Sequence, residues 1–99
     1  MARFQVRRMR STDILGIELQ ADLLDDLNTR VLVPLIPLCE VEKHIDRLNP
    51  VFDIDGCAYV MMTQHLAAVA VSEIGDVVAD LSSKRDAIVA AADFLFQGF

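Results

Sequence analysis

The sequence predicts a mainly β domain of the α+β class, an antiparallel sheet or barrel closed by one C-terminal helix. Three observations carry that expectation. Short apolar segments with a two-residue period, separated by turn residues, fill much of the chain up to Ser72. Asp55-Gly56 separates two of them, and this dipeptide supplies the positive φ angles of a tight hairpin. Apolar residues at helical spacing then run to the chain end.

The elements follow in order. Phe4, Val6 and Arg8 alternate with Gln5, Arg7 and Met9, which suits a half-exposed strand. Ser11-Thr12-Asp13 reads as a turn. Leu15, Ile17 and Leu19 alternate with Gly16 and Glu18 in a second strand. Asp22 to Asn28 is an acidic loop holding Leu23, Leu24 and Leu27, and such leucines either plug a core or face a partner. Val31-Leu32-Val33 is a short buried strand, with Pro34 and Pro37 interrupting the region after it. Cys39 to Leu48 is ambiguous: Val41, Ile45 and Leu48 have helical spacing, yet the segment is short and abuts Pro50. Val51 to Ile54 and Cys57 to Thr63 form the hairpin around Asp55-Gly56. Ala67 to Ser72 is a further strand, broken by Gly75-Asp76. Ser83-Lys84-Arg85-Asp86 fits a capping box, with Asp86 near the positive end of the helix dipole. Ile88, Ala91, Ala92, Leu95 and Phe99 fall on one stripe, and Gly98 is a natural stop.

Composition limits the function classes. The 99 residues suit one domain, 1–99, and 54% hydrophobic content supplies one core and argues against disorder. No apolar run reaches the ~18 residues of a membrane span. Arg3 lies where a signal peptide needs apolar sequence, so a soluble, cytoplasmic domain is expected. Nine basic and fifteen acidic residues give a net charge of −6, which disfavours direct nucleic-acid binding. Arg3, Arg7, Arg8 and Arg10 nevertheless cluster at the start, either as charge protecting an edge strand or as a grip for an acidic partner.

Motifs for catalysis are sparse. No glycine-rich phosphate loop or zinc-protease signature occurs, and no cofactor or metal is expected. Cys39 and Cys57 lack metal or redox spacing and read as two buried thiols acting as small hydrophobes. Glu40 and His44 would share a helix face but lack a third ligand. His65 has the chemistry of a general base without an identifiable nucleophile or orienting carboxylate. The chain end is the anomaly. Phe94, Phe96 and Phe99 crowd the last six residues and cannot all face one side of a helix. Such an end either docks into a core or dimer seam or is offered to a partner.

Leu19 to Asp25, Arg30 to Leu35, Val60 to Thr63, Ile74 to Ser82 and Phe94 to Phe99, taken in this order and spacing, resemble the CcdB family nearly end to end. These are toxins of plasmid-type toxin–antitoxin pairs. The resemblance implies an SH3-like barrel with a small extra sheet, a C-terminal helix and a two-fold homodimer. It also implies a protein that is not an enzyme. CcdB-like toxins bind the A subunit of DNA gyrase and trap it on cleaved DNA, and an antitoxin neutralises them through a disordered C-terminal tail.

Carried over by position, the gyrase contacts become Leu23, Leu24, Asp93, Phe96, Gln97, Gly98 and Phe99, with Leu95, Gln97 and Gly98 at the dimer seam. Leu23 and Leu24 stand where the family has isoleucines, and Asp93 replaces an asparagine. Phe96 and Gly98 match, and Phe99 is an apolar replacement. Gln97 replaces a tryptophan that stacks on a gyrase arginine, removing about 0.5–2 kcal/mol of cation–π attraction per contact. A homologue that keeps its antitoxin but has lost or changed its target is therefore the alternative. A third reading, by fold analogy, is an endoribonuclease using His65 with an N-terminal arginine.

Overall fold

The computed structural model describes residues 2–24 and 26–98. Among these residues, seven antiparallel strands and one α-helix follow in the order β1 (Gln5–Met9), β2 (Leu15–Glu18), β3 (Thr29–Pro37), β4 (Val51–Ile54), β5 (Cys57–Met61), β6 (Ala67–Ala70), β7 (Ile74–Asp80) and α1 (Arg85–Gln97). The strands form one curled half-barrel in the order β4-β5-β3-β2-β1-β7, with β6 also paired to β3. The mainly β expectation with a terminal helix is borne out. Among the described residues, no helix is long and apolar enough to cross a membrane.

Cross-strand rows make the core. Val6 faces Ile17, and Ile17 faces Val33; Leu15 faces Leu35, and Leu35 faces Met61. All six are buried, and Phe52 and Ile54 of β4 extend the cluster. Ile88 and Ala91 of α1 join the same cluster. Each such side chain withdrawn from water contributes roughly 1.5–3 kcal/mol. β2 is buried on both faces rather than one, because Leu32 and Met9 cover Gly16 and Arg7 lies against Glu18.

Long β3 carries three partners. One edge pairs with β2; the other pairs first with β6 through residues 29–32, then with β5 through residues 35–37. Pro34 does not interrupt it, contrary to the reading from sequence. Its carbonyl accepts the Met62 N–H at 2.9 Å, and it sits in the gap between the β6 and β5 ladders. The donor that proline lacks would face the Met62 carbonyl, which takes the His65 N–H at 2.8 Å instead, so no acceptor is left unmade. Pro37 ends the strand beyond the last rung to β2, Leu15↔Leu35.

The hairpin stands as predicted, with Asp55 at φ 53° and Gly56 at φ 84° joining β4 to β5. Other expectations need correction. Gly75-Asp76 does not break the chain but lies inside β7. A Cβ at Gly75 would meet the Arg8 carbonyl oxygen at 2.5 Å, so glycine is there for the close approach of β7 to β1. β1 is therefore an interior strand between β2 and β7, and its arginines guard no edge. The capping box does not form: a 3-10 turn, Ser82–Lys84, leads into α1 without a side-chain cap. Gly98 does end the helix at φ 80°, donating its N–H to the Phe94 carbonyl at 2.9 Å. Cys39 and Cys57 are exposed, not buried, because one lies in the 3-10 turn after β3 and the other directly follows the hairpin turn. The ambiguous stretch Cys39–Leu48 contains no α-helix; a 3-10 turn, Leu38–Glu40, is followed by irregular chain and a turn at 46–48, closed by the Asn49 N–H on the Ile45 carbonyl at 2.6 Å.

Candidate functional site

The acidic leucine loop is held from three sides. Its centre is a 3-10 turn, Asp22–Leu24. Arg3 donates its backbone N–H to Asp22 Oδ1 at 2.7 Å and its Nε–H to the Leu19 carbonyl at 3.0 Å. Gln20 Nε2 donates to the carbonyls of Leu24, at 3.0 Å, and Thr29, at 3.3 Å. Gln20 Oε1 in turn accepts the Val31 N–H at 3.2 Å. The buried Arg30 guanidinium donates to the carbonyls of Leu27 and Thr29. Charged donors on carbonyls are among the stronger hydrogen bonds of a fold.

The leucines are not used to plug the core. Leu23 is 85% exposed, Leu24 46% and Leu27 52%. A loop fixed by side-chain donors yet presenting leucine to solvent has an apolar contact ordered in advance, which lowers the entropy cost of docking a partner.

The helix end supplies the second patch. Ile88, Val89, Ala92 and Phe96 continue one side of α1 along a cavity of about 390 Å³. Phe96 lies beyond the cover of the sheet and is 73% exposed. Leu24 borders the same cavity, with Arg3, Leu19 and Leu66. The loop and the helix tip, far apart in sequence, thus share one apolar depression. Asp93 and Gln97 flank Phe96 at helical spacing on an exposed face. Gly98 is exposed as the cap, and Leu95 is half-buried. Phe99 lies outside the described residues, as does Asp25 of the leucine loop.

Phe94 points elsewhere, as its position implies. The Arg47 guanidinium lies over its ring, 4.6 Å from the centroid. That contact ties the 41–50 segment to the helix tip. The same segment is anchored inward by buried Asn49, whose Nδ2 donates to the Met61 carbonyl at 3.0 Å and to Gln64 Oε1 at 2.7 Å. Asn49 Oδ1 accepts the Ile45 N–H at 3.1 Å, and the Thr63 hydroxyl donates to the Leu48 carbonyl. Gln20, Arg30, Arg47 and Asn49 are not legible from sequence as site supports, since their partners lie on other elements.

The remaining candidates disperse. Arg7 Nε donates to the Gly75 carbonyl at 2.8 Å, and Arg10 Nε to that of Ile74 at 3.2 Å. The N-terminal arginines are thus clamps on backbone. Neither cavity that His65 lines includes an arginine. Glu40 and His44 share no helix; His44 Nε2 lies 3.5 Å from Asp46 Oδ1 instead. Among the described residues, no group of three potential metal ligands converges.

Two carboxylates, half-buried Glu73 and exposed Asp80, titrate low. Hydrogen bonds from the Ser11 hydroxyl and N–H hold Glu73 below the usual range, with help from Arg10. Hydrogen bonding from Ser82 does the same for Asp80. Both sit at strand ends and fix turns.

Leu23 and Phe96 thus project into solvent from a stapled loop and a capped helix, with acidic and amide neighbours. The CcdB protein family model matches residues 3–98, which spans both patches and the whole sheet between them. The chain belongs to the CcdB family, toxins of toxin–antitoxin systems.

Proposed function

We propose that this chain is a toxin that binds the A subunit of DNA gyrase and traps the gyrase–DNA cleavage complex, and that its cognate antitoxin neutralises it through a disordered C-terminal tail. The observation that carries the reading is the outward presentation of Leu23 and Phe96, at 85% and 73% exposure, in a protein of this family. Apolar anchors of this kind dominate the energy of protein–protein contacts. The contact set is Leu23, Leu24, Asp93, Phe96, Gln97, Gly98 and Phe99. Residues 1–99 act as one unit, in the cytoplasm, by binding rather than by catalysis. No cofactor, membrane or direct nucleic-acid contact is needed, and the net charge of −6 suits a protein partner better than DNA.

Two copies pair about a two-fold axis with Leu95, Gln97 and Gly98 at the seam, which doubles the apolar tips offered to a two-fold enzyme. Light scattering on purified protein should give the dimer mass at micromolar concentration; a monomer mass overturns the pairing.

Gyrase-mediated DNA cleavage by purified protein with a free C-terminus tests the main reading. Trapped double-strand breaks that disappear with Phe96→Ala are expected. A folded, dimeric protein that traps nothing overturns it. Exposed Gln97 favours the second reading, an altered target, because an amide cannot supply the aromatic face of the family's tryptophan. Under that reading Gln97→Trp creates gyrase poisoning in a protein that had none.

A further inference from the structure

The two cysteines have no motif spacing in the sequence, yet the sheet brings their positions toward one another. The β3–β5 ladder pairs Leu35 with Met61, Ile36 with Val60 and Pro37 with Tyr59. Continued by two residues, the same register sets Cys39 opposite Cys57. The phase of that rung is also defined. Met62 N–H donates to the Pro34 carbonyl, so rungs at even positions of β3 exchange hydrogen bonds with β5 and those at odd positions do not. Position 39 falls on a non-hydrogen-bonded rung, where Cα atoms approach to about 4.5 Å. A disulfide spans Cα separations of about 4.4–6.8 Å, so this rung type accepts one.

Both thiols are free and exposed. They lie at the end of the face whose inner members, Leu35 and Met61, are in the core. The ladder stops at Pro37 because residues Leu38–Glu40 coil into a 3-10 turn, which packs against β5. The turn is held by one backbone bond, Val41 N–H to the Leu38 carbonyl at 3.1 Å. It has no side-chain cap and buries no residue. A 3-10 turn has poorer hydrogen-bond geometry than an α-helix, so little holds this one closed.

We propose that Cys39 and Cys57 are a reversible oxidation site, closed to an intramolecular disulfide by a peroxide when the turn extends and opened again by thiols. One thiol sulfur attacks a peroxide oxygen, giving a sulfenic acid and one water. The second sulfur attacks the sulfenic sulfur, forming the S–S bond and releasing a second water. The two sulfurs together lose two electrons, which the peroxide takes up. Thiol–disulfide exchange with two equivalents of a thiol reverses the step. The bridge ties the strand exit of β3 to the β4–β5 hairpin, at the start of the 41–50 segment that reaches Phe94 through Arg47.

The test uses the purified full chain treated with stoichiometric hydrogen peroxide. Expected are the loss of both titratable thiols and an intact mass lighter by two hydrogens. A peptide linking Cys39 to Cys57 should be present, with full recovery under dithiothreitol. Cys39→Ser and Cys57→Ser should each retain a lone thiol that gains oxygen or pairs between chains. Oxygen addition without a linked peptide in the parent overturns the proposal. So do bridges between chains only, or thiols that stay free at an excess of peroxide. Because the readout is mass and thiol count, failure here leaves the toxin reading untouched, and the reverse holds.

Discussion

Gly75→Ala isolates the closest approach in the sheet. The added Cβ would stand 2.5 Å from the Arg8 carbonyl oxygen, about 0.9 Å inside the 3.4 Å at which ordinary contact begins. Its neighbour is backbone, so no side-chain rotation relieves it, and β7 must move away from β1. Overpacking of this kind costs about 1–3 kcal/mol. Alanine recovers about 0.4–1 kcal/mol by restricting the unfolded chain. The shift also stretches the Arg7 Nε bond to the Gly75 carbonyl, now 2.8 Å, and the Arg10 Nε bond to that of Ile74. Bonds from charged donors carry about 1.5–3 kcal/mol each, and stretched rather than broken they lose only a part of that, so a net loss of about 1–3 kcal/mol is expected. In a domain of this length that lowers Tm by about 4–8 °C per kcal/mol. Urea titration and calorimetry on the variant and its parent measure it. Gly16→Ala is the internal control: its new Cβ meets the tip of Leu32 at 3.1 Å, a movable side chain, and the loss should be smaller. An unchanged midpoint for Gly75→Ala, or a larger loss for Gly16→Ala, would refute the close-approach argument.

Other outcomes follow from single contacts. Asn49→Ala removes a buried amide with three hydrogen-bond partners and should cost about 2–4 kcal/mol, read as a lower urea midpoint. Phe96→Ala, at 73% exposure, should change stability by no more than about 0.5 kcal/mol while abolishing partner binding in a pull-down. Arg47→Ala removes the contact over Phe94 and should cost about 0.5–1 kcal/mol, with Arg47→Lys retaining part of it. Glu73 titrates low in the fold, so its stabilisation is complete above the ordinary carboxylate range and is lost as pH falls through the depressed value. Ser11→Ala removes the hydroxyl donor, should raise the Glu73 titration midpoint seen by NMR, and should flatten the acid side of the stability curve.

What is legible in the sequence depends on how local its cause is. Asp55-Gly56 sets its own φ angles, and Gly98 stops its own helix, so both are readable without a partner. Gly75 reads as a breaker because the reason for it is the carbonyl of Arg8, which only the sheet brings alongside. The prolines of β3 mislead for the same reason, since the gap that tolerates Pro34 is made by where β6 ends and β5 begins. At the site, leucines in an acidic loop and phenylalanines at a helix end are conspicuous as misplaced apolar groups, and Leu23 and Phe96 are indeed exposed. The supports are invisible: Gln20 and Arg30 look like ordinary polar strand residues until the carbonyls they hold are placed.

Pro34 has a role in error prevention during folding. Sliding β3 by two residues keeps every apolar side chain on its face, so hydrophobic patterning alone does not forbid it. At its own position Pro34 stands opposite Met62, whose carbonyl takes the His65 N–H at 2.8 Å and needs no donor from β3; a slip in either direction sets Pro34 opposite Val60 of β5 or Ala67 of β6, whose carbonyls take their N–H from β3. A carbonyl there would face a ring carbon instead of an N–H, at the cost of an unmade bond inside the sheet. One imino acid therefore singles out one alignment of the strand that all the other pairings depend on, and with it the positions of the leucine loop before β3 and the hairpin after it.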